Sequence, residues 1–123
     1  MTTVLVVDDE PDLRVLTRLL LEMSGYDVLE AEDGESALHL LTGTHSADVV
    51  LLDLRMPGIS GWDVLAGLRD KGLLPGLPIV IFSAHMEPRE YERALRDGAC
   101  AYLTKPFTDE QLLAAVSTAA ATA

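Results

Sequence analysis

The sequence holds a single cysteine, Cys100, so no disulfide can close within the chain. Cys100 lies in the apolar stretch Ala99-Cys100-Ala101-Tyr102-Leu103, where a small buried side chain is expected rather than a reactive thiol. Basic residues are scarce: nine Lys and Arg stand against 20 Asp and Glu, a net charge of −11. A nucleic-acid surface needs clustered cations, so direct nucleic-acid binding is not expected of this chain. The acidic balance suits a protein that holds cations or docks on basic partners, although much of it serves as a self-repelling surface. No apolar run approaches the roughly 20 residues that cross a bilayer. A basic leader with a cleavage site is also missing, since Val4-Leu5-Val6-Val7 follows the start at once. A cytoplasmic protein without membrane contact is expected.

The chain does have apolar material for a core, 49% of its 123 residues, and a length that fits one domain, 1–123, with its core at about 3–118. Short β-branched runs alternate with helical patterns. Val4 to Val7 reads as a buried strand, and Pro11 opens a helix that Gly25 stops. Asp27 to Ala31 is a second strand, and Asp33-Gly34 turns into a helix carrying Ala37, Leu38, Leu40 and Leu41. Asp48 to Asp53 is a third strand, unbroken in apolar residues and so covered on both faces. After the turn-rich Met56-Pro57-Gly58-Ile59-Ser60-Gly61 come a helix from about Trp62 to Lys71 and a strand over Pro78 to Ser83. A helix over Pro88 to Asp97, a strand from Ala99 to Thr104 and a last helix from Thr108 complete five βα units. Right-handed crossovers make this pattern a doubly wound α/β domain, a parallel sheet with helices on both faces.

In such sheets, ligands sit beyond the carboxyl ends of the strands. Those ends carry Asp8 and Asp9, Glu32 and Asp33, Asp53, Ser83, and Thr104 with Lys105. If the first and third strands are neighbours, Asp8, Asp9 and Asp53 converge. A cup of hard oxygens suits Mg²⁺, or Mn²⁺; zinc does not fit, because no Cys or His ends a strand. Aspartate after a strand is often only a helix cap, and Asp33 is read that way. The trio is not, because like charges brought together are costly without a use. A metal, a carboxylate nucleophile, the Ser83 hydroxyl and the Lys105 ammonium around one point meet the needs of phosphoryl transfer.

These residues lie in four motifs: Val6-Val7-Asp8-Asp9-Glu10-Pro11, Leu51-Leu52-Asp53-Leu54-Arg55-Met56-Pro57-Gly58, Phe82-Ser83-Ala84 and Leu103-Thr104-Lys105-Pro106-Phe107. In that order, from Val4 to about Val116, the chain resembles a response-regulator receiver domain. The resemblance implies a five-stranded sheet in the order 2-1-3-4-5 and a phosphorylation-dependent signalling switch. Asp53 would be the phosphoacceptor. Asp9 would bind Mg²⁺ directly, Asp8 largely through water, and the Arg55 backbone carbonyl would complete the protein's share. Lys105, Ser83 and Ala84 would bind the phosphoryl oxygens, with Lys105 paired to Asp53 beforehand and the Lys105–Pro106 bond cis. Ser83 and Tyr102 would form the switch, Tyr102 swinging inward. Arg55 and His85 would tune the lifetime of the phosphoryl group. A sensor histidine kinase or phosphotransfer protein would supply that group. An effector or a second copy would read the face made by the fourth helix, fifth strand and fifth helix.

Two other readings use the same residues. A haloacid-dehalogenase-type phosphatase also employs a strand-end aspartate, but Arg55 occupies the place of its general acid. A receiver-like interaction module without phosphorylation normally lacks an acid, the acceptor or the lysine, and all are present here. A flavodoxin would need a phosphate loop after the first strand. Ser60-Gly61 stands where Asp-Gly is common in receivers, a departure that touches loop geometry. The first helix is unusually apolar, with Leu13, Val15, Leu16, Leu19, Leu20, Leu21 and Met23, so it either serves a partner or is buried on both flanks. His39 and His45 read as solvated, Trp62 as the anchor of the third helix, and Met23 and Met56 as core or loop packing.

Overall fold

In the computed structural model, residues 2–43, 47–84 and 86–121 are described. The elements alternate strictly: β1 Thr3–Val7, α1 Pro11–Met23, β2 Asp27–Ala31, α2 Gly34–Leu41, β3 Val49–Leu52, α3 Gly61–Asp70, β4 Ile79–Ser83, α4 Pro88–Arg96, β5 Ala101–Thr104 and α5 Asp109–Ala121. The strands form one parallel sheet in the order β2-β1-β3-β4-β5, as the resemblance implied.

Alternation along the strands divides the core in two. Leu5, Val7, Val50, Leu52, Ile79 and Ile81 pack on one face beneath α2 and α3. Val4, Val6, Val49, Leu51, Val80 and Phe82 pack on the other, against α1 and α5. The middle strand β3 is therefore apolar at every position, and all of Val49 to Leu52 is inaccessible to solvent.

Helix ends follow local chemistry. The Asp33 carboxylate accepts from the Ser36 N–H at 2.7 Å and caps α2, the bland role expected of it. That contact is also what holds the Asp33 carboxyl below its ordinary pKa. Ser60 and Asp63 form a capping box on α3. Thr108 and Gln111 exchange the same pair of hydrogen bonds ahead of α5.

Several expectations need correction. Cys100 is exposed, not buried. It precedes the edge strand β5 and shares with Tyr102 and Thr104 the side of the chain that is left open. Met23, at the free end of α1, is 84% exposed, whereas Met56 is buried as expected. The third and fifth strands are shorter than expected, because Asp48 and Asp53 lie outside β3 and Ala99 and Cys100 precede β5. Leu74–Pro75 is cis as well as the expected Lys105–Pro106. His39 is exposed, and Trp62 packs on the core with the Arg93 guanidinium 4.1 Å above its ring. His45 and His85 lie outside the described residues.

Candidate functional site

The site is a consequence of register. β1 pairs with β3 so that Val7 lies beside Leu52, and the next residue of each strand is an aspartate, Asp8 and Asp53. The Asp53 N–H still donates to the Val7 carbonyl at 3.1 Å, which locks the two together. On the other side Ser83 pairs with Thr104, and the Lys105 N–H donates to the Ser83 carbonyl at 2.9 Å. Four strands therefore deliver Asp8, Asp9, Asp53, Ser83 and Lys105 to one edge of the sheet.

Lys105 binds two acids at once, its Nζ donating to Asp8 Oδ2 at 2.9 Å and to Asp53 Oδ2 at 3.1 Å. Both partners are buried, so these are not surface ion pairs. The pairing expected with Asp53 is thus shared with Asp8. The stem of Lys105 packs over Phe82, with Nζ 4.7 Å from the ring centroid. Asp53 Oδ1 accepts from the Arg55 N–H at 3.0 Å and, more weakly, from Ser83 Oγ at 3.4 Å. The Ser83 hydroxyl also faces the Ala84 carbonyl at 3.5 Å.

Burial pushes the Asp53 carboxyl above its ordinary pKa, against the Arg55 N–H and the Lys105 ammonium, with repulsion from Asp8 the least of the causes. Burial pulls Lys105 down, yet its hydrogen bond to Asp8 and the charges of Asp53 and Asp8 together leave its pKa raised.

Asp8, Asp9 and Asp53 each offer a carboxylate oxygen within 4.8 Å of the others. Hard, anionic oxygens at that spacing fit Mg²⁺ or Mn²⁺, which bind through one or two carboxylates and keep several waters. Asp9 is the most open of the three. Asp8 is fully buried, with its Oδ1 taken by the Glu10 N–H and its Oδ2 by Lys105.

Sequence reasoning placed Lys105 beside the trio and missed Arg14. From the first turn of α1, Arg14 donates to the Asp8 backbone carbonyl at 2.7 Å and is itself held by Glu30 of β2 at 3.0 Å. A basic residue six positions after the first aspartate, on the helix that the acidic pair opens, was the available signal. Tyr102 is 47% exposed and stacks on Tyr91 of α4, ring centroids 4.1 Å apart, so it points outward here. Beside the acidic cup, Leu13, Leu16 and Leu20 of α1 and Lys105, Pro106 and Phe107 line an apolar groove of about 500 Å³.

Known proteins agree with this arrangement. The family described as "Response regulator receiver domain" matches residues 4–117. The chain is 44% identical over 114 residues to the transcriptional regulatory protein KdpE of Mycobacterium tuberculosis, a match covering 93% of this chain and 49% of that protein. It is 38% identical over 112 residues to the phosphate regulon transcriptional regulatory protein PhoB of Pseudomonas aeruginosa, covering 91% and 48%. The chain thus spans about half the length of these relatives. The receiver domain of the Francisella response regulator 1452 superposes with a TM-score of 0.91 at 31% identity, covering 99% of this chain and 98% of that one. Vibrio cholerae CheY4 does so with 0.89 at 29% identity, covering 97% and 98%. With the strand order, the acidic edge and the four motifs in place, the chain belongs to the response regulator receiver domain family of two-component signalling.

Proposed function

We propose that this chain, acting as a single domain, accepts one phosphoryl group on Asp53 in the presence of Mg²⁺ or Mn²⁺ and thereby switches a signalling output. The observation that carries this reading is the meeting of three carboxylates within 4.8 Å with Lys105 bridging two of them. A carboxylate oxygen of Asp53 attacks phosphorus, the bond from phosphorus to the donor's leaving group breaks with its electron pair, and an acyl phosphate results. The metal, when bound, neutralises charge on the phosphoryl oxygens.

The chain's own groups do the rest. Asp9 holds the metal, Asp8 and the Arg55 backbone carbonyl support it, and Lys105 moves its ammonium from the Asp53 oxygen to the incoming phosphoryl group. The Ser83 hydroxyl and the backbone at Ala84 follow the same oxygens, which leaves the outward Tyr102 free to turn inward. Arg55 and His85 set the lifetime of the product. The readout falls on α4, β5 and α5, for an effector, an output domain or a second copy; the relatives' names favour transcription as the process controlled. Action in the cytoplasm without membrane contact suits a chain whose described residues contain no helix long and apolar enough to cross a membrane. A net charge of −11 also sets this chain itself apart from nucleic acid.

The donor is a sensor histidine kinase or phosphotransfer protein, docked on α1. The surplus of apolar residues there is not buried on both flanks: Leu16 is 53% and Leu19 46% exposed, beside the groove that opens next to Lys105. Replacing both with Glu should leave the fold intact and slow phosphotransfer from the cognate donor by tenfold or more. An unchanged rate would remove α1 from the docking surface.

Intact mass after acetyl phosphate and Mg²⁺ tests the central claim. The native chain should gain one phosphate and Asp53→Asn none. Equal labelling of the two would overturn it.

A further inference from the structure

Arg55 belongs to the acceptor loop, yet its side chain leaves that loop and crosses to α4. One guanidinium nitrogen donates to both oxygens of Glu90, at 3.0 and 3.1 Å. Glu90 is the third residue of α4, where its carboxylate also accepts from the Glu87 N–H at 3.1 Å and closes the capping box. The next residue, Tyr91, makes the two contacts that restrain the readout strand. Its ring stacks on Tyr102, and its hydroxyl shares a hydrogen bond with Thr104 Oγ1 at 3.2 Å. Consecutive residues in one helical turn thus grip the loop that follows Asp53 and the aromatic of β5. Besides the Arg93 guanidinium over Trp62, the helix is held lightly, since Ala94 is its one buried residue among those described.

We propose that Glu90 and Tyr91 form a coupler: Glu90 keeps the Arg55 guanidinium away from Asp53, and the turn so anchored lets Tyr91 hold Tyr102 outward. The inference rests on the reading of Asp53 as acceptor and names the residues that carry its state to the output face. The Arg55 N–H already donates to Asp53 Oδ1, so its side chain starts two residues from the phosphoryl group. A phosphoryl group carries close to two negative charges and several acceptor oxygens, against one charge on Glu90, and guanidinium binds phosphate in a forked geometry. The guanidinium therefore moves to the phosphate. Glu90 is then left facing a new anion without the Arg55 guanidinium, and the first turn of α4 withdraws. Tyr91 withdraws with it and releases Tyr102.

Glu90→Gln isolates the charge, because glutamine at this position still closes a capping box. The chain has three tyrosines, so 3-fluorotyrosine labelling and fluorine NMR follow Tyr102 directly, with assignment by Tyr26→Phe and Tyr91→Phe. In the unphosphorylated chain, Glu90→Gln should raise the unstacked population of Tyr102 by about two- to fivefold, the range that an exposed ion pair carries. In an Arg55→Gln background the same change should add nothing. After acetyl phosphate and Mg²⁺, native and Glu90→Gln chains should converge on one Tyr102 signal, each bearing one phosphate by intact mass. Identical Tyr102 spectra for the two unphosphorylated chains, or an effect that persists without Arg55, would overturn the coupler. A native chain that takes up no phosphate would instead overturn the acceptor reading.

Discussion

The acidic edge of β1 and β3 and the α4–β5 flank are close neighbours, yet they are built on opposite terms. Asp8, Asp53 and Ser83 are buried, and each hydrogen-bonds to at least one partner anchored in the sheet. The flank is exposed: Leu95, Tyr102 and Thr104 face solvent, and its contacts include an aromatic stack, the Tyr91–Thr104 hydrogen bond, the Arg93–Trp62 contact and ion pairs at the surface. A reaction centre needs groups held still, because catalysis by positioning tolerates little displacement. A readout needs two arrangements that differ by a few kcal/mol, which a deeply packed element does not offer. The molecule meets both needs by putting chemistry where packing is dense and output where it is thin.

Truncations on the two sides give the widest contrast. Leu51 has no exposed surface and no room to collapse, so Leu51→Ala should cost about 3–4 kcal/mol in urea melts. Leu95, nearly half exposed on α4, should cost less than about 0.5 kcal/mol when changed to Ala. Comparable losses would mean that α4 is packed far more firmly than its exposure suggests.

Within the rigid half, Lys105→Ala tests what the buried charges require of one another. It leaves Asp8, with no access to solvent, and Asp53 without their shared cation. The cost should be about 3 kcal/mol, the low end for breaking a buried pair, because the cup opens to water on one side. Mg²⁺ should restore part of it. A neutral outcome would show that the carboxylates take up a proton instead.

Gly61 sharpens the same point at a smaller scale. A Cβ there would stand 2.4 Å from the Asp53 carbonyl oxygen and 2.7 Å from Leu54 Cα, so the acceptor's own backbone would have to move. Gly61→Ala should cost about 2 kcal/mol and slow labelling by acetyl phosphate at least tenfold. A labelling rate within twofold of native would show that the acceptor loop is more pliant than its neighbours.

How much of this could be read from the chain follows the same division. β1, β3 and β4 are continuous apolar runs, and their aspartate and serine ends were visible because parallel strands stop together at one edge. β5 was harder, since only Leu103 within it is buried, and Cys100 was misjudged because apolar neighbours do not reveal an edge strand. Arg14, Glu90 and Tyr91 were missed for another reason. Their partners lie 6 to 35 residues away and meet them only through helix placement. Crowding of like charges was visible in the chain as a cost, but burial, which the chain does not display, is the main cause of the raised Asp53 pKa and Asp8 the least.

That ranking of causes decides the smallest of these effects. A carboxyl whose folded pKa is raised binds its proton more tightly in the folded chain than in the unfolded one. Below the unfolded carboxylate pKa the group is protonated in both states and costs nothing. Stability is lost as pH rises from there through the raised folded value, and above it the penalty is constant. Asp53→Asn removes the charge while leaving Lys105 paired with Asp8, so the metal-free variant should be more stable than the native chain at pH 7. The two should converge at acid pH, where the native carboxyl is neutral as well. Mg²⁺ at about tenfold excess over its Kd should stabilise the native chain by about 1.4 kcal/mol. The variant, one anionic ligand short, should gain little. Urea melts in EDTA and in Mg²⁺, at acid and neutral pH, measure all four quantities. A variant less stable than native in EDTA would mean that the Lys105 bridge to Asp53 outweighs burial, and the pH profiles would then diverge in the opposite sense.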